Sequence, residues 1–203
     1  MFDSQTIAAL TTMANEADID PAALLAIAEV ESGGQALFDI NGSKEPAIRF
    51  EGHYFDRRLS GSLREFARTN GLSAPAAGRI RNPKSQAARW LLLERAMDLS
   101  KKAALESTSW GLGQVMGAHW EWLGYATVDD LVEEARGSVA GQARLMLRFI
   151  EKAKLLGVLK ACNWSEFARR YNGPAFARNK YDKRMADAYQ RWQKQLNALK
   201  KAA

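Results

Sequence analysis

Asp20-Pro21-Ala22-Ala23-Leu24-Leu25-Ala26-Ile27-Ala28-Glu29-Val30-Glu31-Ser32-Gly33-Gly34 reads as a helix with both ends marked. Asp20 can accept from the free amides of a first turn, Pro21 has the φ that a first helical position needs, and the glycine pair stops the run. Leu24, Ile27 and Ala28 precede Glu31 by seven, four and three residues, which puts the Glu31 carboxyl on the same apolar, core-facing stripe. Glu29 lies about 200° round the helix and faces elsewhere. A carboxyl on such a stripe loses hydration, and at a helix C-terminus it also meets the negative end of the dipole, so both effects favour its protonated form. A protonated carboxyl opening onto a cleft has the chemistry of a general acid for glycosidic bonds. A glutamate at a helix end also serves as a cap, an ion-pair partner or a solvated residue, and position alone leaves these readings open.

Working outward, Asp3 or Ser4 caps a preceding helix that runs to about Ala17. After Gly34, Asn41-Gly42 lies between two short segments, residues 36–40 and 47–50, that pattern as a hairpin. A short helix is expected over residues 53–59. Residues 60–83, rich in Gly, Ser, Asn and Pro and broken by a helical turn at 63–68, form the expected mobile segment. Helical patterning returns over 85–105, near 110–116, and over 128–135, 138–156 and 164–171. Between Tyr181 and Leu199 the residues Met185, Ala188, Trp192, Leu196 and Leu199 recur at steps of three and four, which predicts an amphipathic helix with a basic outer face. Strand signals are confined to the hairpin, so the predicted fold class is mainly α with a small β element (α+β). Residues 1–178 make the expected body, and residues 179–203 a basic helix packed on it or appended to it.

A chain of 203 residues holds one domain with a substantial core. Its 47% hydrophobic and 26% charged residues exclude disorder as the main state. No run approaches the roughly 18 apolar residues of a membrane-spanning helix. The start, Met1-Phe2-Asp3-Ser4-Gln5, has no basic n-region and shows no secretory signal. Cys162 is the single cysteine, which excludes an intramolecular disulfide, fits synthesis in a reducing compartment and suggests a small core residue. Between Arg178 and Ala203 eight basic residues face two acids, the whole of the +6 net charge. The rest of the chain is balanced, so a nucleic-acid-binding body would lack a global positive bias. His53 and His119 lack H-E-x-x-H spacing and clustered cysteines, which leaves a zinc hydrolase little support. No metal and no organic cofactor are expected.

Three further segments carry candidate chemistry. In Arg49-Phe50-Glu51-Gly52-His53-Tyr54, Arg49 and Glu51 share one strand face, so Glu51 is either an Arg49 partner or, beside Glu31, the second carboxylate of a glycosidase pair; His53 is placed in the same cleft. In Ser109-Trp110-Gly111-Leu112-Gly113-Gln114-Val115-Met116-Gly117, the glycines permit close backbone approach to a ligand and Gln114 can donate to and accept from a sugar amide, or the segment is a tight turn against the core. The G-x-G-x-x-x-G spacing with no preceding strand is a poor dinucleotide loop. In Arg169-Arg170-Tyr171-Asn172-Gly173-Pro174, an exposed-looking aromatic and an amide at a helix end suit a pyranose, or are a core tyrosine and a plain cap.

These motifs, E-S-G-G, F-E-G-H, S-W-G-L-G-Q-V-M-G and R-R-Y-N-G-P, in this order and from about Asp18 to Gln190, resemble the N-acetylmuramidase catalytic domain of phage endolysins directed at Gram-negative bacteria. More distantly they are similar to goose-type lysozymes and soluble lytic transglycosylases. The resemblance implies a lysozyme-like single domain that cleaves the β-1,4 bond between N-acetylmuramic acid and N-acetylglucosamine. It implies Glu31 as the acid, Glu51 as the F-E-x-H glutamate, and Gln114, Met116 and Tyr171 along the sugar groove, with His53, Ser109, Gly111 and Asn172 beside them. Gly52 and the 60–83 linker depart from the family pattern, and there is no room for a separate wall-binding module, a role the basic final helix can take at anionic envelope polymers or lipopolysaccharide. The expectation is a monomer that binds peptidoglycan and no specific nucleic acid, made in the host cytoplasm without a signal peptide and acting in the periplasm after release. Lytic transglycosylation, which leaves 1,6-anhydromuramic ends, is the alternative chemistry; a non-catalytic wall-binding or DNA-binding protein is the alternative class.

Overall fold

The computed structural model describes residues 2–202; Met1, at the head of the N-terminal stretch, and Ala203, the last residue of the basic segment, lie outside the described residues. Helix α1 (Ser4–Glu16) starts where the Asp3 carboxylate accepts from the Thr6 amide at 2.7 Å. Helix α2 (Pro21–Ser32) starts in the same way, with Asp20 accepting from the Ala22 amide at 2.9 Å, and stops at Gly33, whose φ of 74° is the left-handed value that favours glycine. The predicted ends therefore hold. The one-sided stripe does not: every residue from Ala22 to Ala28 is buried, and Val30 with them, so α2 is encased rather than amphipathic.

What encases it is α1 on one side and α10 (Tyr181–Ala202) on another. Met185, Ala188 and Trp192 of α10 are buried in the cluster that contains Leu24, Leu25 and Ile27. Glu29, expected to face away from any groove, is the polar link between the two helices: it accepts from Arg191 Nη2 at 2.6 Å and from Trp192 Nε1 at 2.7 Å. The Trp192 ring also stacks on Phe2 with centroids 6.1 Å apart.

The β structure differs from the pattern in two ways. Strand β1 (Leu37–Ile40) pairs antiparallel with β2 (Ser43–Pro46), not with residues 47–50, because Asn41 and Gly42 both take positive φ and close a two-residue turn. Strand β3 (Ile48–Phe50) is thereby free to pair with β4 (Thr108–Trp110), which pairs with β5 (Val115–Met116). The helix expected near residues 110–116 is thus a strand, a turn and a strand; Gly111 at φ 67° and Gln114 at φ 47° sit in a region that helices do not visit.

The outer edge of β3 is covered by side chains instead of a strand. Asn82 Oδ1 accepts from the Phe50 amide at 3.0 Å and Nδ2 donates to the Phe50 carbonyl at 2.6 Å, while Gln86 accepts from the Ile48 amide at 3.0 Å. These bonds satisfy an edge that would otherwise be open to pairing. They also pin the segment expected to be mobile. Residues 60–83 contain α4 (Gly61–Thr69), bury Leu72, Ser73 and Ala74, and attach through Arg68 to Asp56 of α3 (Gly52–Arg58) at 2.7 Å.

Helix α5 (Gln86–Glu106) is broken at Ser100, and α6 (Val128–Gly137) opens on a capping box between Thr127 and Asp130. The expected helix over 138–156 ends earlier: α7 (Val139–Lys152) turns at Lys154, φ 56°, into α8 (Leu156–Lys160). Cys162 follows in another positive-φ turn and is half-buried, not a core residue. Helix α9 (Trp164–Tyr171) leads back to the end of α2. Two hydrophobic clusters result, one round α2 and one round α5 and the sheet; Glu31 leaves the first and Glu51 leaves the second.

Trp192 is 1% exposed, so Trp192→Ala removes a large core side chain and leaves the Glu29 carboxylate half-partnered. Chemical denaturation should show a loss of about 3–5 kcal/mol. A loss below about 1 kcal/mol would mean that α10 is an appendage on the body.

Candidate active site

Glu31 is the last acid of α2, next to Ser32, whose hydroxyl donates back to the Ala28 carbonyl at 2.7 Å, and Gly33, whose amide donates to the Glu29 carbonyl. Burial pushes its carboxyl from 4.5 up to about 7; a hydrogen bond from Asn172 and the charges of Arg184 and Arg49 act in the opposite direction and are outweighed. Asn172 Nδ2 donates to Glu31 Oε1 at 2.7 Å. The other Glu31 oxygen takes no hydrogen bond among the described residues. Arg184, from α10, spends a guanidinium N–H on the Val30 carbonyl at 3.2 Å, covering a last-turn acceptor of α2.

Asn172 caps α9, and its Oδ1 is buried without a partner, an acceptor beside the acid that a ligand N–H can satisfy. Tyr171, read from the sequence either as an exposed aromatic for a sugar or as a core tyrosine, is partly buried, nearer the second reading. Its ring stacks on Phe167 with centroids 5.2 Å apart, meets Phe149 edge-on at 5.1 Å, and its hydroxyl donates to the Gly113 carbonyl at 2.7 Å. Burial and the nearby Glu31 charge raise that hydroxyl well above its ordinary range. Gly113 allows this approach: a Cβ there would fall 2.8 Å from the Tyr171 hydroxyl and 2.7 Å from Met146.

Glu51 is the N-cap of α3, and its amide donates to the Ser107 carbonyl at 2.8 Å. Arg49 Nε donates to Glu51 Oε1 at 2.7 Å, as the shared strand face predicts. His53 Nδ1 lies 3.5 Å from Glu51 Oε2, is buried and has no hydrogen-bond partner, so it too can meet a ligand or water. Arg49 acts electrostatically on Glu31 as well, so one guanidinium pairs with Glu51 and influences Glu31 through space.

The remaining expected residues support a turn. Gln114 Nε2 donates to the Gly111 and Ala47 carbonyls at 2.9 and 3.2 Å, so its donor is already engaged and only Oε1 is left to meet a sugar. Ser109 Oγ donates to Met116 Sδ at 3.0 Å across the β4–β5 pair. Gly111 packs against Gln142, a buried side chain that holds the Leu112 amide at 3.1 Å and the Ala36 carbonyl at 3.2 Å. Arg184 and Tyr181 escaped the sequence reading, which counted them only as part of the basic tail. Tyr181 is half-buried and feels the charges of Glu31, Arg184 and Arg49. The one available signal was spacing: residues 181, 184, 185 and 188 share the inward face of α10.

Four elements, α2, β3, α9 and α10, thus contribute to a site with two carboxylates, one of them pushed up to about 7, beside unpartnered amide and imidazole atoms. A family model for N-acetylmuramidases matches residues 20–193. The chain belongs to the N-acetylmuramidase family. The matched span takes in both carboxylates and most of α10. The crystal structure of a Burkholderia AP3 phage endolysin is similar over 93% of this chain and 71% of that one, with 35% identity and a TM-score of 0.76. No curated protein matches. This muramidase is therefore a glycosidase acting on the peptidoglycan of the cell wall, on a lysozyme-like, mainly α fold.

The native state keeps the Glu31 proton between pH 4.5 and about 7, where an unfolded chain has released it. Stability from this group is therefore full below the lower value and lost as pH rises through the upper one. Glu31→Gln should match the parent's unfolding free energy near pH 4 and exceed it near pH 8, by at most about 3 kcal/mol. An offset between the two proteins that does not change over this range would contradict the burial of the carboxyl.

Proposed function

We propose that Glu31 is the general acid that protonates the leaving oxygen of the β-1,4 bond between N-acetylmuramic acid and N-acetylglucosamine, and that Glu51, ion-paired with Arg49, positions or activates the attacking water. The observation that carries this reading is the Glu31 carboxyl at about 7, with one oxygen held by Asn172 and the other without a hydrogen bond. At neutral pH such a group holds a proton in a large share of molecules and releases it readily in the transition state. Asn172 Oδ1 and His53 Nδ1 are the atoms suited to bind sugar substituents. Ser109, Gly111, Gln114 and Met116 form the groove wall. Tyr171 holds that wall through Gly113 instead of stacking on substrate.

The enzyme, in this reading, works as a monomer, is made in the host cytoplasm, and reaches the periplasmic wall after a separate membrane lesion. Lys194, Lys200 and Lys201 are exposed on α10 and suit an anionic envelope surface such as lipopolysaccharide. Changing all three to Glu should reduce retention on whole envelopes at low salt while short soluble glycans are still cut at the parent rate; equal retention would remove that role.

Glu31→Gln should lower turnover of purified peptidoglycan by about 10²–10⁴-fold, because the amide keeps the shape and cannot deliver a proton. Glu29→Gln, which keeps an acceptor for Trp192 Nε1, should retain most activity. The parent's rate should fall as pH rises above about 7. New muramic acid reducing ends are the expected product; an active Glu31→Gln beside an inactive Glu29→Gln would reverse the assignment.

A further inference from the structure

A cavity of about 600 Å³ lies between the 71–83 segment and the outer face of α5, away from the groove described above. Its polar wall is cationic throughout: Arg79, Arg81 and Arg95 line it and no acid does. Arg79 and Arg81 form no ion pair among the described residues, and Arg95 makes a single bond, to the Asn70 carbonyl at 3.2 Å. The other wall is apolar, with Ile80, Pro83 and Leu91; Leu91 is 59% exposed. Three arginines without carboxylate partners round a concave apolar floor are charge-complementary to a short anionic chain with small aliphatic side groups.

The wall of the cavity packs on the start of α3, the residue after Glu51. Ile80 packs on Gly52, where a Cβ would come 2.5 Å from Ile80 Cγ1, and Gly52 follows Glu51 directly. Arg89 donates to the Pro83 carbonyl at 2.8 Å and to the Ile48 carbonyl at 3.2 Å, and it feels the charge of Arg49. Cations therefore continue from Arg49 at the active site, through Arg89, to the three arginines of the cavity.

We propose that this cavity binds the free carboxylates of the peptide stem carried by the muramyl residue next to the cleaved bond, so that the enzyme reads the peptide as well as the glycan of its substrate. The inference rests on the functional reading above, since only a glycan seated at Glu31 and Glu51 brings a stem to this flank. A stem leaves its sugar as a short chain with carboxylates at intervals, which Arg79, Arg81 and Arg95 can pair while Leu91 and Ile80 meet its methyl groups. An anionic lipid surface is the less suited occupant: the three arginines line a concavity rather than a flat or convex face.

All three arginines are exposed, so charge reversal at two of them leaves the core untouched. The test compares kcat/KM for glycan strands that carry stems and for strands stripped of them by an amidase, with the parent and with the Arg79→Glu, Arg81→Glu double variant. The parent should prefer stem-bearing strands. The double variant should lose about tenfold on those, chiefly through KM, and cut stripped strands at the parent rate; Arg79→Lys, Arg81→Lys should recover part of the loss. Equal losses on both substrates, or no loss on either, would overturn the proposal. Binding of a disaccharide tripeptide to the Glu31→Gln protein, followed by NMR of the arginine side chains, is read without turnover. Shifts at Arg79, Arg81 and Arg95 that the stem-free disaccharide does not cause support the stem site even if the parent cuts neither substrate, a result that would sink the catalytic reading alone. Retention of the parent, but not the double variant, on anionic phospholipid vesicles, with no effect of stems, would assign the cavity to lipid instead.

Discussion

The whole arrangement depends on encasing the C-terminal end of α2. A carboxyl in water ionises near 4.5, and only removal of its hydration moves it to about 7 against three influences that pull it down. The helix behind the carboxyl is covered, while Glu29, Glu31 and Ser32 of its last turn are half-buried. Helix α2 carries alanine, leucine and isoleucine on every face, α1 and α10 close round it, and Glu29, the one acid on its covered length, is bonded to Arg191 and Trp192. Burying two glutamates near one helix end costs stability unless each has a defined partner. Glu29 has two, and Glu31 has Asn172 alone.

Cations near the acid are placed so that they do not neutralise it. Arg184 gives an N–H to the Val30 carbonyl and Arg49 gives its Nε to Glu51, so neither forms an ion pair with Glu31. A direct pair would hold the carboxylate ionised and remove the proton that chemistry needs. The neutral donor Asn172 orients one oxygen; its hydrogen bond lowers the carboxyl more than either arginine does, and burial still outweighs all three. Helix α10 thereby shapes the site from behind, through Tyr181 and Arg184.

Features set by short-range chemistry were legible in the sequence. The caps at Asp3 and Asp20, the stop at Gly33, the Arg49 to Glu51 pair two residues apart on a strand, and the inward face of α10 as far as Leu196 all follow from local spacing, whereas Leu199, which continues the same spacing, is 52% exposed beyond the end of the body. What the sequence concealed is non-local. The pairing of β3 with β4, some sixty residues later, has no pattern of its own. The 110–116 turn looked helical because positive φ at Gln114 has no sequence marker. The 60–83 segment looked loose because Asn82 gives no hint that it completes the edge of β3. Asn172 was legible as a site residue, but its contact with Glu31, 141 positions earlier, required the fold.

The most direct measurement is a carbon-13 titration of the Glu31 side-chain carboxyl in the parent and in Asn172→Ala. A midpoint near 7 is expected in the parent. A higher midpoint is expected in the variant, because the donor that favours the charged form is gone. A parent midpoint near 4.5, or a variant midpoint that moves down, would contradict that balance of burial against the Asn172 donor.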